Sequence, residues 1–255
     1  MAKARNTHSR SKVSPEIVQQ LNLGTRAPAN LMEGLVVDFA TLMKNACPRV
    51  SESQLLRFTA DSPTITRRMA IGGQIVREIY GTDLEELLLH PSDTVRGWVA
   101  FAWQLEESWD LAARINRFRP LAIDEHFGVR EWAWMALRPH LVADLDSAIQ
   151  LLNPWVVDES PFARRFAVEA TRPRGVWCSH ITELKTHPER ALTLLEPLQT
   201  EPEKYVQDSV ANWLNDASKT QPQWVQQICQ RWLKAHPAEK STARICQRAT
   251  RSIKA

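Results

Sequence analysis

Apolar residues recur along this chain with the spacing of an α-helix almost everywhere. Leu31, Leu35, Phe39 and Leu42 follow one another at intervals of four, four and three residues, which places their side chains on one helical face. Alternating runs of valine, isoleucine and threonine, which would indicate strands, do not occur, and the chain has only eight glycines. The pattern therefore predicts an all-α protein.

Prolines stand between the periodic stretches and indicate where the predicted helices meet. Proline is compatible with the first turn of a helix and hostile to its interior. The prolines that mark predicted joints lie at positions 48, 63, 91, 120, 139, 154, 188, 202, 222 and 237. Their spacing predicts helices of roughly one to two dozen residues.

A short pattern recurs at these joints: a small apolar residue, in most copies a basic residue after it, and then an apolar helix. The small residue in successive copies is Val95, Val129, Ala163, Val206 and Ala243, at steps of 34, 34, 43 and 37 residues. Periods near 40 with two helices each are typical of HEAT-type repeats. Stacked helix pairs of this kind build one continuous core. The sequence thus predicts a HEAT-like helical repeat solenoid, an α–α superhelix.

The domain organisation follows from the same pattern. Residues 1–12 carry Lys3, Arg5, Arg10 and Lys12 among polar residues, and we interpret them as a flexible basic tail. The segment from about 14 to 60 is interpreted as a helical cap. Residues 13–255 are predicted to form a single HEAT-like repeat domain, with the clearest repeats at about 84–235.

Composition and charge restrict the cellular location and the binding partners that we expect for this protein. The net charge of +3 is compatible with nucleic acid, but it does not by itself identify such a partner. The first twelve residues lack the apolar core of a secretory signal, and the longest apolar runs, such as 87–89, are too short to cross a bilayer. We therefore expect a cytoplasmic protein without membrane attachment.

Several kinds of site find no support in the sequence. The four cysteines form no CxxC pair, and the seven histidines form no HExxH motif. A glycine-rich loop that could cradle phosphates is also missing. We therefore expect no metal and no cofactor. The ten tryptophans are more informative, because so many indoles must lie in a core or in a groove that binds something flat.

Two segments resemble a known family. The runs ARRFAVEATRPRGVW, from Ala163 to Trp177, and YVQDSVANWLNDASK, from Tyr205 to Lys219, are similar to signature segments of the AlkC-type bacterial DNA glycosylases, within the wider AlkC/AlkD group of DNA alkylation repair proteins. The resemblance covers about 90–235 and is strongest over 158–225. It implies a helical solenoid that cradles duplex DNA. It further implies hydrolysis of the N-glycosidic bond of cationic N3- or N7-alkylated purines, such as 3-methyladenine, without base flipping.

The resemblance assigns catalytic roles to two carboxylates, Glu169 and Asp216. Loss of a cationic base leaves an oxocarbenium-like sugar, which a nearby carboxylate stabilises. The residues themselves leave a second interpretation open for each position. Glu169 lies beside arginines and is also suited to a structural salt bridge, and Asp216 follows Asn215 near a predicted helix end, where it is also suited to capping.

The family pattern is not fully matched. Where the family has a further acidic residue, this chain has Trp134, and Glu131 lies about one helical turn earlier. This replacement is compatible with altered lesion choice, with a slower enzyme, or with a protein that binds DNA without hydrolysis. Glu131 is either a partial substitute or an exposed surface carboxylate.

Aromatic and basic residues complete the predicted DNA interface. Trp177, Trp134 and Trp213 are expected to contact the lesion nucleotide, although core packing is the alternative for each. The basic residues predicted to hold phosphates are Arg130, Arg138, Arg165, Arg172, Arg174 and Lys219. A basic residue after a small apolar one is also a routine structural feature of HEAT repeats, and about half of these residues are expected to be structural.

Three functions are compatible with these observations. The first is a monomeric DNA glycosylase, without metal or cofactor, whose partner is double-stranded DNA with alkylated bases. The second is a non-catalytic DNA-binding homologue, which Trp134 favours. The third is a protein-interaction scaffold, because a HEAT-like fold does not itself specify a function.

Overall fold

The structure, a computed structural model, describes residues 13–59 and 64–253. The basic tail predicted at 1–12 lies outside the described residues. The α-helices, numbered in chain order, are α1 (Pro15–Asn22), α2 (Leu31–Leu35), α3 (Phe39–Ala46), α4 (Glu52–Leu56), α5 (Ile65–Tyr80), α6 (Glu85–Leu88), α7 (Asp93–Gln104), α8 (Leu111–Arg117), α9 (Arg119–Ala122), α10 (Phe127–Ala143), α11 (Leu145–Leu152), α12 (Pro161–Ala170), α13 (Thr182–Thr186), α14 (Leu192–Leu195), α15 (Lys204–Ser218), α16 (Pro222–Ala235) and α17 (Lys240–Ala249). Within these described ranges, 3₁₀ helices cover Asn153–Val157, Pro188–Ala191 and Glu196–Leu198.

The predicted all-α, helical repeat fold class is confirmed. No strand occurs in the described ranges, and no helix within them is long and apolar enough to cross a membrane. The repeat pattern places the starts of α7, α10, α12 and α15 correctly. The recurring small residue is the third residue of each of these four helices and the fourth residue of α17.

One predicted joint is wrong. Pro139 lies inside α10 rather than between two helices. A proline there removes one backbone hydrogen bond and strains the preceding turn. Since its neighbours Leu137 and Leu141 are fully buried, packing of the apolar face outweighs this local cost, as tertiary context often overrides propensity.

The described chain groups into two compact units. The first contains the residues up to Ser108 together with Glu125–Ala133, and the second contains Trp109–Asp124 and the residues from Trp134 onward. Both units lie within the range 13–255, and the single repeat domain predicted there stays a prediction.

The first unit depends on a close crossing of α5 and α7. Gly72 and Gly73 of α5 lie against the ring of Trp98 and the backbone at Phe101 of α7, and a Cβ atom on either glycine would overlap these groups. Glycine costs about 1 kcal/mol in a helix interior relative to alanine. This cost is offset by packing, because the absence of side chains at the two glycines lets the large aromatic side chains of α7 pack directly on the α5 backbone.

The second unit is built on three successive inner helices, α12, α15 and α17. Helix α15 packs against α12 on one side and against α17 on the other. Eleven of its fifteen residues are buried, so that α15 forms the centre of this core. Phe166 of α12, Trp213 of α15 and Ile245 of α17 are all buried there.

The polar residue after the small apolar residue has a shared structural role in the first four copies of the repeat. Its side chain turns back and donates to a backbone carbonyl five or six residues earlier, in the loop that precedes its own helix. The bonds are Arg96 Nη1 to His90 O (2.6 Å), Arg130 Nη1 to Glu125 O (2.8 Å), Arg164 Nη1 to Asp158 O (2.8 Å) and Gln207 Nε2 to Glu201 O (2.8 Å). Glutamine serves in the fourth copy because the side chain has to donate hydrogen bonds, and charge is not required. In the fifth copy, Arg244 donates instead to side chains of α15.

This role corrects the prediction for Arg130. Its guanidinium donates to the loop before α10, and the residue is only 7% exposed. An arginine held in this way satisfies a loop carbonyl that would otherwise lack a partner, and its small exposed area leaves little surface for a phosphate. Arg130 therefore has the structural role that is routine for a basic residue at this position of a HEAT repeat.

Arg164 has an additional task, because it also neutralises a buried carboxylate. Its Nε and Nη2 atoms each donate at 2.8 Å to Glu201, whose side chain is 3% exposed. Hydrogen bonding to Glu201 raises the pKa of Arg164 further above its ordinary value. Such a bidentate ion pair is strong and has a fixed geometry.

We expect Arg164→Met to lower the free energy of unfolding by about 3 kcal/mol, because it leaves the Glu201 carboxylate buried without its cation. The matched control is Arg190→Met, since Arg190 pairs with Asp146, which is 71% exposed, and such pairs contribute at most about 1 kcal/mol. Urea unfolding followed by circular dichroism measures both. Equal losses in the two variants would contradict a buried structural pair.

Candidate active site

Glu169 and Asp216, the two carboxylates predicted to be catalytic, lie on neighbouring helices and are joined by one arginine. Arg172 donates from Nε and Nη2 to Oδ2 of Asp216 at 2.9 and 2.7 Å. From Nη1 it donates to Oε2 of Glu169 at 3.1 Å. The structure therefore brings the two carboxylates together although 47 residues separate them in the sequence.

The position of both carboxylates is electrostatically unfavourable for the helices that carry them. Glu169 lies in the last turn of α12 and Asp216 in the last turn of α15. The carboxyl end of a helix carries partial negative charge and favours cations. Cations must therefore compensate for these carboxylates, and Arg172 provides this compensation at both helix ends.

Each carboxylate also has a partner of its own. Ser209, on α15, donates from Oγ to Oε1 of Glu169 at 2.6 Å, and Arg165 lies 3.7 Å from the same oxygen. Lys219 donates to Oδ1 of Asp216 at 3.2 Å. The side chains of Glu169 and Asp216 are 4% and 6% exposed. Both carboxylates are thus shielded and held in fixed directions.

Cations outnumber carboxylates in this cluster. The cations that bond to the two carboxylates or act on their surroundings electrostatically include Arg138, Arg165, Arg172, Arg174 and Lys219. Burial acts to lower the pKa of Arg172, but the charges of Glu169 and Asp216 outweigh burial and raise it. Arg172 therefore stays protonated, and the cluster as a whole is positive.

The loop after α12 is held by Arg138. The guanidinium donates to the carbonyl oxygens of Ala170 (2.9 Å), Arg172 (2.5 Å) and Ser179 (3.1 Å). Arg138 is 3% exposed, and burial lowers its pKa from the ordinary value for arginine. The prediction that Arg138 holds a DNA phosphate is corrected, because its donors are directed at the backbone. It fixes the loop, residues 171–181, from which Arg172, Arg174 and Trp177 project.

Trp177 lies near the tip of this loop and is the exposed aromatic residue of the site. It has a φ of 61°, and its side chain is 52% exposed, beside Val176 at 50%. A bulky residue in the left-handed region is strained, and a large exposed indole is costly in water. The structure thus maintains two unfavourable features at one residue, as is common at binding sites.

The other two predicted aromatic contacts are corrected. Trp213 is fully buried, and its Nε1 donates to the carbonyl oxygen of Thr171 at 3.0 Å. Trp134 is 3% exposed. Neither indole presents a face to solvent, so both have the core-packing role that the sequence left open. Trp213 also satisfies a carbonyl at the start of the loop that carries Arg172.

Two features of the site are missing from the sequence-based prediction. Ser209 lies seven residues before Asp216, two turns along the same face of α15, and that spacing could have identified it. Arg251, beyond the end of α17, donates to Oδ1 of Asn212 at 2.8 Å. It adds a cation beside α15 that interacts electrostatically with Asp216. No group of three or more His, Cys, Asp or Glu suited to a metal occurs in ranges 13–59 and 64–253.

Comparison with known proteins places these features in a family. A family model described as DNA alkylation repair enzyme matches residues 108–249, which is more than half of the chain. The uncharacterized protein YhaZ of Bacillus subtilis (strain 168) is 39% identical over 102 residues, which are 40% of this chain and 29% of YhaZ. The chain thus spans less than a third of that relative.

Solved structures share the helical repeat fold. The Pseudomonas fluorescens alkylpurine DNA glycosylase AlkC, bound to DNA containing an abasic site analog, superposes with a TM-score of 0.67 at 22% identity, over 94% of this chain and 65% of AlkC. AlkD2 from Streptococcus mutans superposes with a TM-score of 0.56 at 19% identity, over 85% of this chain and 98% of AlkD2. At these identities the likeness concerns the fold.

We expect Arg138→Gln to release the loop at 171–181, because three backbone carbonyls lose their donor at once. Chymotrypsin cleavage after Trp177 should become at least about tenfold faster, as cleavage follows local opening. Arg138→Lys should behave similarly, since an ammonium group cannot reproduce the planar fork.

Arg190→Gln, at a surface ion pair of the same unit, serves as the control and should be cleaved at the wild-type rate. Full protection in Arg138→Lys would show instead that positive charge alone holds the loop.

Proposed function

This chain belongs to the family of DNA alkylation repair enzymes, and we propose that it is a DNA glycosylase that releases cationic N3- or N7-alkylated purines from duplex DNA. The observation that carries the proposal is the joining of Glu169 and Asp216 through Arg172 within a positive cluster. The cluster offers negative charge for a sugar cation and positive charge for the flanking phosphates.

The chemistry requires little from the protein beyond electrostatics. An alkylated purine carries a positive charge, and when its bond to the sugar breaks, the base takes the electron pair and departs neutral. The sugar is left with oxocarbenium character, which nearby carboxylates stabilise. Water then attacks the sugar carbon, and one carboxylate accepts the proton that the water loses. The products are the free base and an abasic site.

Bound DNA would adjust the charge of the cluster. In the free protein the positive charges of the arginines and Lys219 exceed the negative charges of Glu169 and Asp216. This net positive charge would destabilise a sugar cation. Phosphates that contact Arg165, Arg174 and Lys219 would offset these cations. The field of the two carboxylates would then dominate at the lesion.

Trp177 has a role in the same proposal. Its exposed indole lies on the loop next to Arg174 and Arg172, and it would stack on the deoxyribose or on the alkylated base. An aromatic face attracts a cation, so contact with a cationic base favours damaged over intact nucleotides. A monomer in the cytoplasm, as expected from the sequence, is part of this proposal.

The likeness to AlkC supports DNA as the partner, because that glycosylase was solved bound to DNA containing an abasic site analog. The contacts that this chain makes with DNA are proposed from its own residues, chiefly Arg165, Arg172, Arg174 and Lys219.

The runner-up function is a DNA-binding protein that does not release bases. Its specific support is the burial of both carboxylates and their full engagement by Arg172, Ser209 and Lys219. The replacement of an acidic family position by Trp134 points in the same direction. Such a protein would bind alkylated DNA and liberate no base.

Base release from methylated duplex DNA tests the enzyme directly. We expect the wild type to liberate 3-methyladenine or 7-methylguanine above the spontaneous rate, measured by chromatography and mass spectrometry. Glu169→Gln and Asp216→Asn should each lower the rate about 10- to 100-fold, because each removes one negative charge beside the sugar.

Glu201→Gln is the matched control, since Glu201 is also a buried carboxylate paired with an arginine in the same unit. It should lose stability but retain base release per folded molecule. Release at the spontaneous rate by folded wild type would reject the glycosylase, and DNA binding without release would identify the non-catalytic protein.

DNA affinity and its salt dependence test the phosphate contacts. We expect Arg174→Gln and Lys219→Gln to weaken binding to duplex DNA and to reduce the slope of log affinity against log salt by about 0.9 for each lost contact. Lys234→Gln, on α16 and exposed, is the control and should bind as wild type does. Equal behaviour of all three variants, or no DNA binding by the wild type, would favour a protein-interaction scaffold.

A further inference from the structure

Helices α16 and α17 form a hairpin that places one cysteine from each helix side by side. Cys229 lies in α16, and Cys246 lies in α17. The Sγ atom of Cys246 is 3.8 Å from the carbonyl oxygen of Cys229. Both residues are 4% exposed. Two cysteines that meet across adjacent helices are placed to form a disulfide bond if their Cβ atoms can approach each other.

The pair is nevertheless open to small molecules. Both cysteines line a surface groove between the two helices, whose other lining residues include Gln226, Gln230, Lys240 and Gln247. The groove is open at the surface and also lined by Leu233 and Ala243, so small molecules such as peroxides can enter it. Cysteines of a sealed core would not meet such an oxidant.

We propose that Cys229 and Cys246 form an oxidisable dithiol that a peroxide converts into a disulfide between α16 and α17. One thiolate attacks the O–O bond of the peroxide and becomes a sulfenic acid, releasing water or an alcohol. The second thiol then attacks that sulfur, so that the S–S bond forms and the S–O bond breaks with release of water. Two thiols lose two hydrogen atoms, and the peroxide is reduced.

The other two cysteines occupy different surroundings and serve as internal references. Cys47, in the first unit, is fully buried beside Tyr80, and burial raises its pKa to about 11. Cys178 lies in the loop at 171–181, where burial also raises its pKa. Neither residue lines the groove that contains Cys229 and Cys246.

The bond would fix a helix that supports the candidate site. On α17, Arg244 and Arg248 pair with Asp208 of α15 at 2.6 and 3.1 Å. A crosslink between Cys229 and Cys246 would tie α17 to α16 as well. Closing a short loop in this way stabilises the folded hairpin, and we expect the melting temperature to rise by roughly 5 °C.

The test uses the full chain, reduced and then treated with hydrogen peroxide, with remaining thiols alkylated before mass analysis. We expect an intact mass lower by two hydrogen atoms and two thiols protected from alkylation. Trypsin cleaves after Arg231 and Arg244, so that the cysteines fall on different peptides. A non-reduced digest should therefore contain one crosslinked pair that dithiothreitol separates.

Controls keep the result specific. Cys178→Ser should leave the crosslink intact, and Cys229→Ser should abolish it. Because the wild-type mass and peptide map decide the question, the outcome does not depend on any variant folding. Addition of oxygen to either thiol without a crosslink, a bond to Cys47 or Cys178, or two thiols that stay fully alkylatable would each overturn the proposal.

Discussion

The site depends on one constraint: two carboxylates at the carboxyl ends of neighbouring helices must share a cation. Arg172 meets this constraint by donating to Glu169 and to Asp216. It can reach both only if α12 and α15 pack in register and the intervening loop turns back at once. Arg138 imposes that turn by donating to three loop carbonyls. The positions of Arg174 and Trp177 follow from the same turn.

Arginine has two separate uses in this chain, and the direction of the guanidinium distinguishes them. Arg130 and Arg138 donate to backbone carbonyls and are nearly inaccessible, so they hold loops in place. Arg174 and Lys219 lie at the edge of the carboxylate pair and keep exposed area. Because the repeat itself uses a recurring hydrogen-bond donor, which is usually arginine, the number of arginines does not indicate DNA binding. The exposure of each arginine is the more informative quantity.

The sequence predicts the positions of the helices well. It predicts poorly whether an individual side chain lies in the core or at the surface. Helix starts can be predicted because a small residue and a polar residue recur at the joints, most of which also contain a proline. The residues of α15 that reach the core are harder to predict, since eleven of its fifteen residues are buried and polar residues such as Asn215 and Asp216 are among them. Trp213, which the sequence predicts to contact the lesion nucleotide, is buried in this core. The meeting of Glu169 with Asp216 was expected only through the family resemblance.

The excess of cations over carboxylates bears on the choice of substrate. A free alkylated nucleoside brings a positive charge and no phosphate into an already positive cluster, so it gains little from Glu169 and Asp216. Duplex DNA brings the same cationic base together with several phosphates, which offset Arg165, Arg174 and Lys219. The electrostatics of catalysis would thus be completed by the substrate backbone. Under the proposed glycosylase function, phosphate binding would do more than hold DNA in place, because it would determine whether the two carboxylates can act on the sugar.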